Sequence, residues 1–213
     1  MAKKIDVPKI PAHLAPVNFE EIFNPDDPYI EDCLISNCTI ELENLDKIRF
    51  SQVIFQNVTF NNVSSRKIDL TDVIFDHCDL SNADLMEAVI HRTEFKNCKL
   101  LGVNLAEATF ANVLFENCNL NLSSFGYSSF KQGVFNNSIL RNADFYECKF
   151  NKIDFQECDL NDANFSRTAL KGTDISSSTF QTIQVELNDL PGCIVNSEQA
   201  IGFAMMLGLT IKD

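Results

Sequence analysis

The chain has 213 residues, with 30 acidic against 17 basic side chains and a formal charge of −13. At 45% hydrophobic and 22% charged residues it is too apolar to be disordered, and one well-buried unit is the default at this length. Acidity without a basic stripe argues against direct binding to DNA, RNA or an anionic membrane and favours a basic protein partner. The 18 phenylalanines against three tyrosines and no tryptophan show that one large apolar shape is needed again and again.

Residues 1–27 read as an N-terminal extension. Lys3 and Lys4 precede no apolar run of signal-peptide length, and nowhere do about 18 uncharged apolar residues occur together, so a cytosolic (cytoplasmic) protein with no membrane contact is expected. A reducing cytosol argues against disulfides among the eight cysteines. Asn18 opens a short helix with Glu21 at the capping-box position and Pro25 as its stop, placed to cover the open end of the structure that follows.

Residues 28–194 repeat with a period of five. Every fifth residue from Ile30 through Phe55, Phe75, Phe95 and Phe115 to Leu190 is apolar, Ser65 excepted, and this centre column holds 15 of the 18 phenylalanines. A second column two residues earlier is small or β-branched, as at Val53, Ala83, Ala108, Ser138 and Ala163, and all eight cysteines fall in it. Five residues advance an α-helix by about 500°, which would spiral the phenylalanines around every side. In a straight strand, residues five apart face opposite ways, which would expose half of them. What remains is a chain that turns a corner every five residues, keeping the centre and the small column inward and the other three residues outward. Four corners close a square coil; coils stacked at about 4.8 Å place residues twenty apart directly above one another, and about eight coils make a rod of about 40 Å.

The expected fold is therefore all-β, a four-sided parallel β-helix with a short N-terminal helical cap and a C-terminal helix. Large centres are expected to stack in one axial column, with the small companions conserving volume beside them. Asn37, Asn57, His77, Asn97, Asn117 and Asn137, each two after a centre on one side, read as a structural ladder of corner residues. Val63–Lys67, around the polar centre Ser65, is expected to be a local irregularity. No catalytic, cofactor or metal site is expected and the chain does not read as an enzyme. His13, His77 and His91 are isolated, the cysteines point inward without a Cys-x-x-Cys pair, and neither a Ser/His/Asp spacing nor a phosphate loop is present.

Residues 195–213 follow the repeats. Asn196 as N-cap, Gln199 at the third helical position and Gly208 beyond the end predict a helix of about eleven residues, then a strand over Leu209–Ile211. Ile201, Phe203, Ala204, Met205, Met206 and Leu207 surround more of this helix than one packing face needs. The surplus predicts a homodimer through the C-terminal ends, a rod approaching about 80 Å.

Ala83-Asp-Leu85, Ala143-Asp-Phe145 and Ala163-Asn-Phe165 resemble the pentapeptide-repeat family, whose pattern is a small residue, Asn or Asp, a central Leu or Phe and two variable residues. The resemblance covers about three quarters of the chain and implies a right-handed quadrilateral β-helix. The layout, an uninterrupted stack with a C-terminal helix module, is similar to the Qnr type of quinolone-resistance proteins and their mycobacterial relative MfpA. That resemblance implies a dimeric rod that mimics duplex DNA and binds type II topoisomerases, DNA gyrase or topoisomerase IV, inhibiting them or protecting them from quinolones. Many Gram-negative Qnr proteins project two loops; here the fives run unbroken from 30 to 190, so this would be a loopless member. A general interaction scaffold or a toxin-immunity protein with another target is the alternative reading.

Sorting outward residues by side gives the expected partner-binding surface. One face, centred on 45, 65, 85 and onward, carries Asp46, Asp84, Glu87, Glu107, Asp144, Glu147 and Glu186 against Lys47, Arg66, Lys67 and Arg167. The opposite face carries Asp76, Glu94, Glu116, Asp154, Glu157 and Asp174 against Lys96. A mostly basic side with Arg49, Arg92, Lys131, Lys149, Lys152 and Lys171 lies between them. Residues 28 to 190 hold 23 acids and 13 bases, a net charge of about −10, whereas duplex DNA of that length carries about −24. Mimicry would therefore rest on rod width and acidic rows rather than on matching every phosphate.

Overall fold

The computed structural model describes residues 5–42, 46–206 and 208–212. Its elements in chain order are β1 (Ala15–Val17), α1 (Phe19–Ile22), β2 (Tyr29–Ser36), β3 (Thr39–Glu41), β4 (Arg49–Gln56), β5 (Thr59–Asn61), β6 (Asp69–Asp76), β7 (Val89–Lys96), β8 (Thr109–Glu116), β9 (Ser129–Asn136), β10 (Lys149–Gln156), a 3-10 turn at Leu187–Asp189 and α2 (Ser197–Met206). Strands β2, β4, β6, β7, β8, β9 and β10 stack in parallel in one sheet. Their register advances by twenty residues at each step, as in Phe75 opposite Phe95 and Phe95 opposite Phe115. The fold is the four-sided parallel β-helix that the period of five demands.

Most sides of the square are built according to the residue before the centre, although Asp69 and Asp154 stay within β6 and β10. At the tight turns this residue is Asp or Asn, and its side chain accepts a hydrogen bond from the backbone N–H two residues on, as Asp79 does from Ser81 (3.0 Å), Asn104 from Ala106 (3.1 Å) and Asp144 from Tyr146 (3.1 Å). The centre carbonyl then accepts from the third residue beyond, as Leu80 does from Ala83 (3.2 Å), closing a turn. Where Ile54, Ile74, Leu114 and Val134 take that position, the chain stays extended and the eight-residue strands form. In the following coils Asp154 stays within β10, whereas Asp174 bonds the N–H of Ser176 (3.0 Å) and no strand forms there.

Every non-glycine residue with positive φ bears a number ending in 2 or 7, two after a centre. The Asn ladder is thus one of four columns of left-handed corners. Its side chains also bond from coil to coil, Asn137 Nδ2 to Asn117 Oδ1 at 2.7 Å and Asn117 Nδ2 to Asn97 Oδ1 at 3.2 Å. The centres from Ile30 to Ile175 are buried apart from Phe150, which is partly so, while Leu45 lies outside the described residues.

Four expectations need correction. The aromatic centres form stacks along separate sides of the square rather than one axial column, two of them on opposite sides and a third joining Phe110 to Phe130 at 4.2 Å. Phe75, Phe95, Phe115 and Phe135 stack at centroid spacings of 4.8 Å, and Phe125, Phe145 and Phe165 stack at 4.8 and 4.9 Å. The stacks meet edge to face, as at Phe145–Phe155, where the planes cross at 83°, because centres on opposite sides of a narrow square point at each other. Second, Ser65 introduces no irregularity. It is buried in the centre position, its N–H bonds Asp84 C=O at 2.9 Å, and Lys67 turns the usual corner at φ 60°, because the interior accepts a small centre without a register shift. Third, residues 209–212 form no strand; the N–H of Leu209 turns back to the carbonyl of Ala204 (3.2 Å) and closes the end of α2. Fourth, Asn18 caps α1 through the N–H of Glu20 (3.1 Å), at the second helical position, rather than through that of Glu21.

The ends are closed as the sequence requires, with one addition. Phe19 of α1 is buried and stacks on Phe23 at 4.9 Å. Beneath the first coil β1 adds a strand, pairing Ala15 to Cys33 and Val17 to Ile35. At the other end Asn196 and Gln199 cap each other, Gln199 N–H to Asn196 Oδ1 at 2.9 Å and Asn196 N–H to Gln199 Oε1 at 3.0 Å. Gln199 Nε2 also donates to the carbonyls of Ile175 (2.9 Å) and Ser178 (2.8 Å), fastening α2 onto the last coil.

Candidate functional site

The repeat puts the eleven carboxylates of the expected partner-binding surface on the outer sides but does not leave them equally open. Glu107 and Glu157 are exposed; Asp76, Asp84, Glu87, Glu116, Asp144, Glu147 and Asp174 are half-buried. Glu94 and Asp154 are buried, at 6% and 5% exposure. Glu94 lies along the strand surface with Lys96 Nζ at 2.6 Å, so it presents no free charge.

Several of the others hold the rod together. Asp84 accepts from Asn104 Nδ2, and Asp144 from Asn164 Nδ2, both at 2.8 Å across one coil step. Asp76 accepts from Asn97 at 3.2 Å, Glu116 from Asn136 at 3.3 Å, and Asp174 from Ser176 Oγ at 2.7 Å. Glu87 pairs with Lys67 at 3.3 Å, and Glu147 with Arg167 at 2.9 Å, a bond that holds the Glu147 carboxyl below the usual carboxylate range. These exposed coil-to-coil pairs contribute little stability each but tame the charge of the face.

The face centred on Asp76's coil is also flanked by a strap that the sequence reading treated only as an extension. The N–H of Asp6 donates to Asn112 Oδ1 (3.1 Å), the N–H of Lys9 to Asp72 Oδ1 (2.8 Å), and Gln52 Nε2 to the carbonyl of Lys9 (2.9 Å). Gln52, Asp72, Arg92 and Asn112 occupy one column of corners, and Asp72 and Asn112 are buried. Asp6 and Lys9, three residues apart, reach corners two coils apart, a span of about 10 Å that only extended chain covers. Arg92 Nε lies 2.6 Å from Asp72. Burial pushes the Asp72 carboxyl up, but Arg92 and the Lys9 N–H outweigh it and hold it below the ordinary value. The same burial, with Arg92 alongside, lowers His91.

The corner opposite the strap looks different. Leu122 (φ 60°) and Tyr127 (φ 63°) are the two large apolar side chains among the left-handed corners, and they are 62% and 58% exposed. Their columns otherwise carry Asn62, Asn82, Gly102, Asn142 and Asp162, and Lys47, Lys67, Glu87, Glu107, Glu147 and Arg167. The Tyr127 ring meets Tyr146 edge to face at 5.6 Å, and Arg167 of the next coil stands 5.6 Å over Tyr146. A side chain that departs from its column's type was the signal in the sequence; it went unused because corners were read only where Asn repeats.

The eight cysteines are free. Cys98, Cys118 and Cys158 donate to the carbonyls of Phe75, Phe95 and Phe135 at 3.5, 3.3 and 3.4 Å, where Ser178 and Thr168 at equivalent positions bond Phe155 and Phe145. Burial pushes Cys33 and Cys158 up to about 11 and Cys148 up to about 12, so these thiols are inert packing groups near neutral pH. Among the described residues no cluster of His, Cys, Asp and Glu is placed to hold a metal, and no helix is long and apolar enough to cross a membrane.

On α2, Phe203 turns inward against Phe180 at 5.8 Å and Ala204 is half-buried, whereas Ile201, Met205 and Met206 are exposed together with Leu209 and Ile211. Leu207 lies outside the described residues. One side of the helix covers the last coil and the other remains apolar.

Residues 68–145 match the family described as "Pentapeptide repeat region", and residues 138–176 match "Pentapeptide repeats (8 copies)", together just over half of the chain. The chain belongs to the pentapeptide-repeat family. No curated protein matches this pentapeptide-repeat sequence. Among solved structures, full-length QnrB1, described as a plasmid-mediated fluoroquinolone resistance protein, is 18% identical, with 92% of this chain and 95% of that chain covered and a TM-score of 0.43. A trypsin-treated QnrB1 gives 17% identity, 93% and 97% coverage and a TM-score of 0.47. HetL from the cyanobacterium Nostoc sp. strain PCC 7120, a pentapeptide repeat protein involved in heterocyst differentiation regulation, is 16% identical over 80% of this chain and 90% of its own, with a TM-score of 0.25.

Proposed function

We propose that this pentapeptide-repeat protein is a non-catalytic, cytoplasmic DNA mimic that binds a type II topoisomerase, DNA gyrase or topoisomerase IV, and inhibits it, protects it from quinolones, or both. The observation that carries the reading is an unbranched rod whose interior is filled by stacked phenylalanines, leaving only its outer acidic rows to act. With a net charge of about −10 over 28–190, the rod offers a basic DNA-binding groove a cylinder with rows of carboxylates, which steers association without copying every phosphate. Two chains joined through the apolar side of α2 form the active unit, a rod of about 80 Å. The test is a supercoiling assay with gyrase from the same organism, with and without ciprofloxacin. Inhibition or rescue at micromolar protein is expected; no effect on either activity discards the topoisomerase.

A further inference from the structure

We infer that the rod meets its protein partner through the face centred on Leu85, Leu105, Phe125, Phe145 and Phe165, and that Leu122, Tyr127 and Tyr146 are the anchors, seated in an apolar recess of a basic surface. This rests on reading the rod as a protein-binding module but not on the partner being a topoisomerase.

Two acidic faces were open to choice, and the structure distinguishes them. On the face with Asp76, Glu94 and Asp154 are buried and the strap lies along its corner at Gln52, Asp72 and Asn112. Among the described residues the opposite face carries no strap, and none of Asp84, Glu87, Glu107, Asp144 and Glu147 is buried on it.

The anchors follow from what the fold does not need. A left-handed corner is served best by Asn or Gly, since Cβ crowds the carbonyl there. Asn82, Gly102 and Asn142 fill the Leu122 column accordingly. An exposed leucine in that conformation carries the backbone cost without recovering it by burial in this chain, so its burial belongs to a complex. Tyr127 stands one corner further along the same coil, and its contact with Tyr146 and the Arg167 guanidinium fixes two rings before any partner arrives. Around them Glu107 and Asp144, with Glu87 paired to Lys67 (3.3 Å) and with Glu147 and Glu186 sharing the single Arg167 (2.9 and 3.9 Å), leave a border that is net acidic. An aromatic centre with a charged border is the anatomy of a binding hot spot, and the sign of the border selects a partner rich in Lys and Arg.

The test uses the full chain with Leu122→Asn, Tyr127→Glu, and Glu157→Gln as control on the opposite face. The first two install residues already present at equivalent corners, so melting temperature stays level or rises. Tyr127→Glu also adds acidic charge, which strengthens a purely electrostatic contact and weakens an anchored one. Binding to purified gyrase is expected to fall at least tenfold for the combined Leu122→Asn, Tyr127→Glu variant and less than twofold for the control. Unchanged binding, or an equal loss in the control, overturns the face. If the unmodified chain does not bind gyrase, the topoisomerase reading falls by itself. Photo-cross-linkers at positions 127 and 157 in cells of the source organism then decide the face, with adducts mapped by mass spectrometry. An adduct from 127 into a Lys/Arg-rich segment of a protein, lost with Leu122→Asn, is expected; no adduct, or equal adducts from 157, overturns it.

Discussion

At the scale of single residues, the small inward column shows how side-chain size and a weak donor combine. Cys, Ser and Thr alternate there because each fits beside a phenylalanine and offers one hydrogen to the carbonyl 23 residues back, at 3.4 Å for Cys158 and 3.0 Å for Ser178. The thiols carry a pH consequence. Their ordinary value is 9.0, and burial raises Cys33 to about 11 and Cys148 to about 12, with Cys98 also near 12 through its hydrogen bond with Cys118. The folded form therefore holds protons that the unfolded chain releases, so this share of stability is complete below about pH 9 and is lost as pH rises towards 11 and 12. Thermal melts are expected to be level from pH 7 to 8 and to fall progressively above 9, with a shallower fall in a Cys98→Ser, Cys148→Ser variant. Parallel curves for the two proteins would show that the thiols contribute nothing to the alkaline limb.

Among the elements, both helices were legible in the sequence, α1 with Asn18 as its cap and α2 with Asn196, though the Asn18 bond comes from Glu20 and not from Glu21. Asn196 and Gln199 stand at the spacing of a reciprocal cap, and both bonds form. What the sequence could not show is that the same Gln199 side chain turns its amide onto Ile175 and Ser178, because that depends on where the last coil ends. Gln199→Ala removes the cap and strands buried carbonyls, so a loss of about 2 to 3 kcal/mol is expected from chemical denaturation; a loss under about 0.5 kcal/mol would mean the helix end is held by Phe203 alone. The repeat was legible because its period leaves one geometry, and the centres from Phe50 to Ile175 took the places assigned to them. The strap was not, since Asp6 and Lys9 carry no pattern and bond through backbone N–H groups that any residue except proline supplies. The acidic surface was legible in position but not in availability: that Glu94 lies flat against Lys96 depends on side-chain packing across the strands.

For the whole molecule, the proposed dimer rests on the apolar side of α2. Ile201, Met205 and Met206, with Leu209 and Ile211 beyond them, are exposed together, an apolar patch of the kind that marks an interaction surface. Light scattering is expected to give twice the chain mass of 24.0 kDa, and Ile201→Asp with Met205→Asp to halve it without loss of the β-helix circular dichroism; a single-chain mass for the unmodified protein would remove the dimer from the proposal. The strap has a different bearing on the rod as a whole. In a solenoid each turn touches only its neighbours, so its ends ordinarily fray one turn at a time. Here Asp6 is tied to Asn112 across 106 residues of chain, and Lys9 to Asp72 across 63. Loosening the coils that carry Asp72 or Asn112 breaks these ties as well, so opening of this half is expected to be more concerted than fraying one turn at a time.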